Sequence, residues 1–278
     1  MNRPEKVCDL HLHSYYSDGS LSPSELVSRG ENAGLAAISI TDHDTLSGQN
    51  EAIQAAMGRT IEVLPGIEFS VMIDETEVHI LGYFVDIYNR EISSCCDGLE
   101  VARHERAVRI VKKLRALDLD VSMEEVAALS GRGTVGRLHI ARVLLSRKYI
   151  SNIQEAFVRY LGNGKSAFVP RKILSIAEAT EVIRTAGGVA VWAHPGSAIR
   201  RAGLLRKLLD AGISGMEAYH PNHTPGITRD IMAAGEKFGL VCTGGSDFHF
   251  TEAMKADIGG VYIEYGAVVK LRELAGDI

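Results

Sequence analysis

The stretch Asp9-Leu10-His11-Leu12-His13 decides how this chain is read. As a β-strand, its side chains alternate between two faces. Leu10 and Leu12 then enter a core, while Asp9, His11 and His13 share the opposite face. Two imidazoles two residues apart on a strand can hold one metal ion side by side, and neutral imidazole is the commonest protein metal ligand. Taken alone, the pair reads equally well as two histidines exposed at a strand end. The rest of the chain decides between the two.

Working outward, the same arrangement recurs. Ser22-Pro23-Ser24-Glu25 is a capping box with proline at the first helical position, and its helix ends near Gly34. A short apolar strand, Ala36 to Thr41, runs into Asp42-His43-Asp44. The strand Ile61 to Leu64 is broken at Pro65-Gly66, and Glu68 follows. Phe69 to Ile73 and Glu77 to Phe84 flank Asp74-Glu75-Thr76 as a hairpin, with His79 on its second arm. Later strands run Val189 to Ala193 into His194, Gly215 to Ala218 into His220 and His223, and Leu240 to Thr243 into Asp247 and His249. A last strand near Val261 and a helix near Leu271 close the chain. Ligand-type residues thus sit at, or just beyond, the C-terminal ends of expected strands, the rim where parallel α/β barrels build their sites. His79 alone falls early in its strand. Counting His79, eight of the ten histidines belong to this set. Any one of them alone would be structural; together they favour a polynuclear metal site.

The β/α rhythm stops near Glu91. From Leu99 to Leu119 apolar residues recur at helical spacing, and Arg103, Arg106, Arg109, Lys112, Lys113 and Arg115 fill the other face, as on a solvated helix. Ser122-Met123-Glu124-Glu125 caps a short helix. Gly131 to Gly136 is a glycine-rich loop, and Arg137 to Ser146 and Ile153 to Tyr160 follow as helices. With no strand pattern before Gly164, residues 91–164 read as a helical insert between barrel segments 1–90 and 165–278.

Composition sets the bounds. The 278 residues, 46% hydrophobic and 23% charged, suit one large globular α/β domain with an insert. A net charge of -5 gives no global basic field for a long nucleic-acid duplex. No apolar run spans a bilayer and no secretory pattern opens the sequence, so no membrane partner is expected. Cys8, Cys95, Cys96 and Cys242 show no paired spacing, which points to a reducing, cytoplasmic setting.

The motifs Asp9-Leu10-His11-Leu12-His13-Ser14, Ser17-Asp18-Gly19, Thr41-Asp42-His43-Asp44, Gly66-Ile67-Glu68, Val78-His79-Ile80-Leu81-Gly82-Tyr83, Ala193-His194-Pro195 and Gly245-Ser246-Asp247-Phe248-His249 resemble the PHP (polymerase and histidinol phosphatase) family, a branch of the amidohydrolase superfamily. They occur in family order across nearly the whole chain. The resemblance implies an α/β fold, a distorted (β/α)7 barrel with the helical insert as a lid. It implies two to three divalent ions, for which Mn²⁺, Fe²⁺ and Zn²⁺ all suit the donors. One would sit on His11, His13, Glu68 and Asp247. Glu68 would bridge to a second, held by His79 and His194. A third would take Asp18, His43 and His249.

Gly136-Arg137-Leu138-His139-Ile140-Ala141-Arg142 and Tyr219-His220-Pro221-Asn222-His223-Thr224 resemble a lidded PHP subgroup. Members hydrolyse nucleoside 3′,5′-bisphosphates, releasing the 3′-phosphate, and some trim RNA from the 5′ end. The resemblance implies phosphate contacts from Arg137, His139 and His223.

The chemistry agrees. A phosphate ester needs its charge neutralised and a strong nucleophile at neutral pH, and divalent metals supply both. Arg137 offers a planar fork that matches phosphate. His223 or His220 can protonate the leaving oxygen. Asp42 and Asp44, flanking His43, are expected to orient it or cap the next helix. The partner expected is a small phosphorylated nucleotide, with short RNA as an alternative. A histidinol-phosphate phosphatase is disfavoured by the Arg137-x-His139 pair. A metal-storage or scaffold module is disfavoured by the full ligand set.

Overall fold

The computed structural model describes residues 6–74, 76–130, 133, 135–171, 173–249 and 256–276. β1 (Val7–Leu12) is followed by α1 (Pro23–Asn32), β2 (Ala37–Ile40), α2 (Gln49–Ala56) and β3 (Glu62–Ile73), and the three strands pair in parallel. The helix starts are written locally: Ser22 and Glu25 cap α1 reciprocally, with Pro23 in the first turn.

Two expectations about these strands change. β1 carries an extra residue against β2, since Asp9 pairs with Ile38 but Leu12 with Ile40. Such a bulge breaks strict alternation and re-aims side chains. Leu10 therefore packs in the cluster holding Leu81 and Val191, whereas Leu12 packs with Leu26 and Ile38. Asp9 leaves the histidine pair, and its carboxylate accepts from Ser246 N and Gly259 N, both at 2.9 Å. β3, in turn, is not broken at Pro65-Gly66. The Pro65 carbonyl still accepts from Phe84 N at 2.8 Å, and the missing N–H removes only the reciprocal bond at the end of the β3–β4 ladder. Gly66 is needed because a Cβ would lie 2.2 Å from Ser39 Oγ.

β4 (Thr76–Tyr83) returns antiparallel to β3, with Ser70 opposite His79. Because β4 runs backwards, its beginning lies at the rim where the parallel strands end. That accounts for a site histidine early in its strand. Of the hairpin turn, Glu75 lies outside the described residues.

Then come α3 (Arg90–Arg115), α4 (Met123–Ser130), α5 (Arg137–Ser146) and α6 (Ile153–Ala156), which continues as a π-helical turn over Phe157–Leu161. Among the described residues this stretch holds no strand. Ile92, Cys96 and Leu99 of α3 pack in the barrel's core, while Ala107, Ile110, Val111 and Leu114 pack in a second core with Ile140, Leu144 and Leu161. Each fully buried leucine here contributes about 1.5–3 kcal/mol. One helix therefore belongs to both cores. Of the glycine-rich loop, Gly131, Arg132 and Thr134 lie outside the described residues.

The chain resumes with β5 (Leu174–Ser175), α7 (Ile176–Thr185), β6 (Val189–Trp192), α8 (Leu204–Asp210), β7 (Gly215–Tyr219), α9 (Pro225–Phe238), β8 (Val241–Gly244), β9 (Ile263–Glu264) and α10 (Gly266–Ala275). The sheet order is β8-β7-β6-β4-β3-β2-β1-β9, with β5 beside β3. Beyond β8 the chain turns onto β1: Phe248 O accepts from His13 N at 2.9 Å, and Leu12 bridges Phe248. Seven strands, all but β5 and β9, thus form a nearly closed mixed barrel. Gly245 permits the closure, because a Cβ there would stand 2.5 Å from His11 Cβ. Ala267, Val268 and Leu271 of α10 pack with Leu10 and Val191. No helix of the described residues is long and apolar enough to cross a membrane.

Candidate active site

Glu68 stands at the centre, fully buried on β3. Its Oε1 lies 2.9 Å from His79 Nδ1 and 3.1 Å from His194 Nε2. Its Oε2 lies 2.9 Å from His43 Nδ1, 3.4 Å from His13 Nε2 and 3.5 Å from His11 Nε2. Asp247 Oδ1 approaches the same two ring nitrogens at 3.2 Å (His13) and 3.3 Å (His11). On the far side of His13, Asp18 Oδ1 lies 3.2 Å from His249 Nε2 and Asp18 Oδ2 lies 3.9 Å from His43 Nε2. The structure thus gathers His11, His13, Asp18, His43, Glu68, His79, His194, Asp247 and His249 into one cleft. Of the ten histidines only His104, exposed on α3, stands apart.

Among the described residues, four overlapping sets have donor atoms within 4.8 Å of one another: His13-Asp18-His43-His249, His11-Glu68-His194, His11-His13-Asp247 and His43-Glu68-His79. Several features fit cations among these atoms. His43 Nδ1 and Glu68 Oε2 are buried with no hydrogen-bond partner. The Nε2 atoms of His11 and His13 face each other at 3.1 Å. His11 Nδ1 is 3.0 Å from Glu217 Oε1, which would hold a proton on Nδ1 and turn Nε2 to a cation. Burial disfavours their charge, yet the surrounding imidazoles hold Glu68 and Asp247 well below the usual carboxylate range. Burial pushes His13 down to about 3, so its ring is neutral, as a ligand must be.

Three non-glycine residues at the rim have left-handed backbones: Asp44 (φ 57°), His194 (φ 27°) and Asp247 (φ 51°). Such conformations persist where surroundings over-determine them. Here the supports are visible. His194 N donates to Glu217 Oε2 at 2.7 Å. Asp247 Oδ2 lies 3.2 Å from His220 Nε2, while His220 Nδ1 accepts from Asn222 N at 3.2 Å. Asp44 accepts from Ser70 N at 3.1 Å and Arg103 Nε at 3.0 Å. Asp42 accepts from Ser14 N (2.7 Å) and from the hydroxyls of Ser14 (2.5 Å) and Ser17 (2.6 Å), which braces the turn that carries Asp18.

Two cavities adjoin at His43 and His79. One, of about 360 Å³, is lined by Glu68, His194, His220, His223, Asp247 and His249. The other, of about 230 Å³, lies between the rim residues Asp18 and Glu77 and the helical insert, with Arg103, Arg106, Arg137, His139, Phe157 and Arg171 in its wall. Arg106 is pushed down to about 10 by burial and by Arg137, Arg171 and Arg103. Burial, then Arg171, likewise holds Arg137 below its usual value. Cations crowded this way favour an anion among them. Arg137 donates to Leu161 O at 3.2 Å and lies 5.6 Å from the Phe157 ring centroid. His139 Nδ1 accepts from Gly136 N at 3.0 Å, so the neutral ring carries its proton on Nε2. His223 Nδ1 donates to Ala218 O at 2.9 Å, and its Nε2 accepts from Gly196 N at 3.1 Å.

This donor set and fold agree with comparison to known proteins. Residues 9–165, more than half the chain, match the PHP domain. The chain belongs to the PHP family. A 5′-3′ exoribonuclease of Haemophilus influenzae is 37% identical over 249 residues, covering 88% of this chain and 90% of that protein. A 3′,5′-nucleoside bisphosphate phosphatase of Chromobacterium violaceum is 32% identical over 256 residues, covering 90% of each. A crystal structure from Bifidobacterium adolescentis, provisionally named a metal-dependent phosphoesterase, superposes with a TM-score of 0.88 at 28% identity and covers 98% of both chains. This PHP chain is a metal-dependent phosphoesterase.

Sequence reasoning missed Glu217, Arg103, Arg106 and Arg171. Glu217 could have been found, since a carboxylate inside the apolar strand Gly215–Tyr219 needs a buried partner. Arg103 and Arg106 were read as part of a solvated face, but Arg106 is buried and both line the cavity. Nothing in the loop around Arg171 marks it.

Proposed function

We propose that this PHP phosphoesterase removes the 3′-phosphate of nucleoside 3′,5′-bisphosphates. One observation carries the reading: a cleft of imidazoles and carboxylates opens beside an arginine-lined cavity, and the two share His43 and His79. The arrangement offers separate seats for a scissile and a non-scissile phosphate. It suits a small phosphorylated nucleotide as the substrate.

The residues suit two to three divalent ions of the Mn²⁺, Fe²⁺ or Zn²⁺ type. His11, His13, Glu68 and Asp247 would hold the first, Glu68 with His79 and His194 the second, and Asp18, His43 and His249 the third. When bound, such ions neutralise phosphate charge and activate water near neutral pH. Glu217 fixes the tautomer of His11 and the backbone of His194; His220 orients Asp247. Arg137 and the Nε2–H of His139 dock the 5′-phosphate. His220 and His223 line the cleft as proton sources for the leaving 3′-oxygen, His220 only once its Nε2–H leaves Asp247 Oδ2. For His223 this requires Gly196 N–H to leave Nε2, so that a second proton can be taken up. Residues 91–164 act as a lid over the mouth of a barrel formed by 1–90 and 165–278. None of the four cysteines forms a disulfide, which fits a cytoplasmic enzyme.

A phosphate-release panel on Mn²⁺-reloaded protein tests the proposal. Nucleoside 3′,5′-bisphosphates should outrun nucleoside monophosphates and histidinol phosphate. Equal rates across the panel would remove the two-seat argument.

A second reading, trimming of short RNA from the 5′ end, uses the same two seats, with the downstream chain leaving from the metal cleft, and is favoured by the likeness to a 5′-3′ exoribonuclease of Haemophilus influenzae.

A further inference from the structure

One carboxylate oxygen is approached from two sides. Glu77 and His79 lie two residues apart on β4, so their side chains share a face of the strand. His79 Nδ1 is turned to Glu68 Oε1 at 2.9 Å, and its other ring nitrogen, Nε2, faces Glu77 Oε1 at 3.7 Å. The same Glu77 Oε1 is paired with Arg171 Nη2. Arg171 follows the helical insert in the chain and lines the arginine cavity together with Glu77 and His79. Its Nη1 has Asp44 Oδ2 as a second neighbour, at 4.0 Å. A separation of 3.7 Å is too long for a hydrogen bond, so the carboxylate is engaged by the arginine rather than by the imidazole. The Glu77 side chain is 41% exposed, which gives it room to turn from one to the other.

We propose that Glu77 is a positioning residue for His79, and that Arg171 sets how firmly it acts according to what the arginine cavity binds. A histidine that ligates a metal through Nδ1 carries its proton on Nε2. A carboxylate that accepts a hydrogen bond from that Nε2–H orients the ring and raises its basicity. Glu77 is the carboxylate on the Nε2 side of His79. While Arg171 holds Oε1, the approach to His79 stays long. A phosphate in the cavity gives Arg171 a charged partner with a matching fork, and Glu77 Oε1 is released to His79 Nε2–H. Anion and metal then strengthen each other's binding by the same factor, because coupling between two sites is reciprocal. The inference rests on the two-seat reading and adds regulation to it: the metal centre tightens as the non-scissile phosphate docks.

The test measures Mn²⁺ affinity of the full chain by chelator competition, with and without a nucleoside 5′-monophosphate whose own binding is followed by calorimetry. In wild type the nucleotide should raise metal affinity at least about fivefold. Glu77→Gln should lower metal affinity about tenfold and abolish that response. Arg171→Gln should raise metal affinity in the absence of nucleotide, yet change nothing in the Glu77→Gln background. Arg171→Lys keeps the charge without the fork and should retain part of the response. A charge felt only through the general field would add equally in both backgrounds. Additive variants, or undiminished metal affinity in Glu77→Gln, therefore overturn the proposal. So does a nucleotide that binds without changing metal affinity, or one whose effect survives Glu77→Gln, as direct contact with the metal would. Non-additive variants in a protein that fails to bind the nucleotide would instead overturn the two-seat reading and leave the link from Arg171 through Glu77 to His79 standing.

Discussion

Arg137→Ala separates docking from chemistry. The arginine cavity holds Arg103, Arg106, Arg137 and Arg171, but Arg103 is engaged by Asp44 and Arg171 by Glu77. Among the described residues Arg137, like Arg106, is held by a carbonyl and an aromatic ring rather than by a carboxylate: Leu161 O and Phe157 for Arg137, Val169 O and Phe168 for Arg106. A hydrogen bond to a charged group contributes about 1.5–3 kcal/mol, equivalent to about ten- to a hundredfold in kcat/KM. Neighbouring arginines can take over part of the anion's charge, so the loss should lie nearer tenfold. Truncation also removes packing on Phe157, so a thermal melt must accompany the kinetics, and Arg137→Lys should recover part of the activity. The assay compares kcat/KM for a nucleoside 3′,5′-bisphosphate with that for a chromogenic phosphomonoester, which has no second phosphate. The bisphosphate should suffer more, and bound metal should be unchanged. Equal losses on both substrates would refute the docking role.

Three other changes probe the centre. Glu217→Gln removes the charge that holds His11 Nδ1–H, so metal affinity, read by chelator competition, should fall about 10- to 100-fold; undiminished affinity would mean the carboxylate serves only the fold. Metal-loaded wild type should plateau at two to three ions per chain by elemental analysis, and Glu68→Ala should lose more metal than Asp18→Ala because Glu68 faces both sides of the cleft. A firm plateau at one ion would end the polynuclear assignment. Gly245→Ala places a methyl 2.5 Å from His11 Cβ and should cost about 1–3 kcal/mol in denaturant unfolding; an unchanged midpoint would contradict the closure contact.

Much of the site was legible because it is written at strand ends. The rim logic finds His11, His13, His43, Glu68, His194, Asp247 and His249 from local pattern alone. His79 looked misplaced only because alternation along a strand does not reveal its direction; the hairpin after β3 supplies that. The same limit hid the bulge in β1. Strict alternation grouped Asp9 with the histidines, whereas one extra residue sends it to the backbone of the loop beyond β8. Pro65-Gly66 looked like a break because proline lacks an N–H, yet its carbonyl alone holds that end of the pairing with β4. The arginines of α3 were misread for a related reason. Periodicity separates an apolar face from a polar one, but it does not say whether the polar face meets water or a second wall.

The most direct test is to identify the product of a single turnover position. Mn²⁺-loaded protein is incubated with a nucleoside 3′,5′-bisphosphate and followed by ³¹P NMR. Inorganic phosphate should appear together with the nucleoside 5′-monophosphate, and addition of a chelator should stop both. Accumulation of the 3′-monophosphate, or phosphate release that survives full metal removal, would contradict the account.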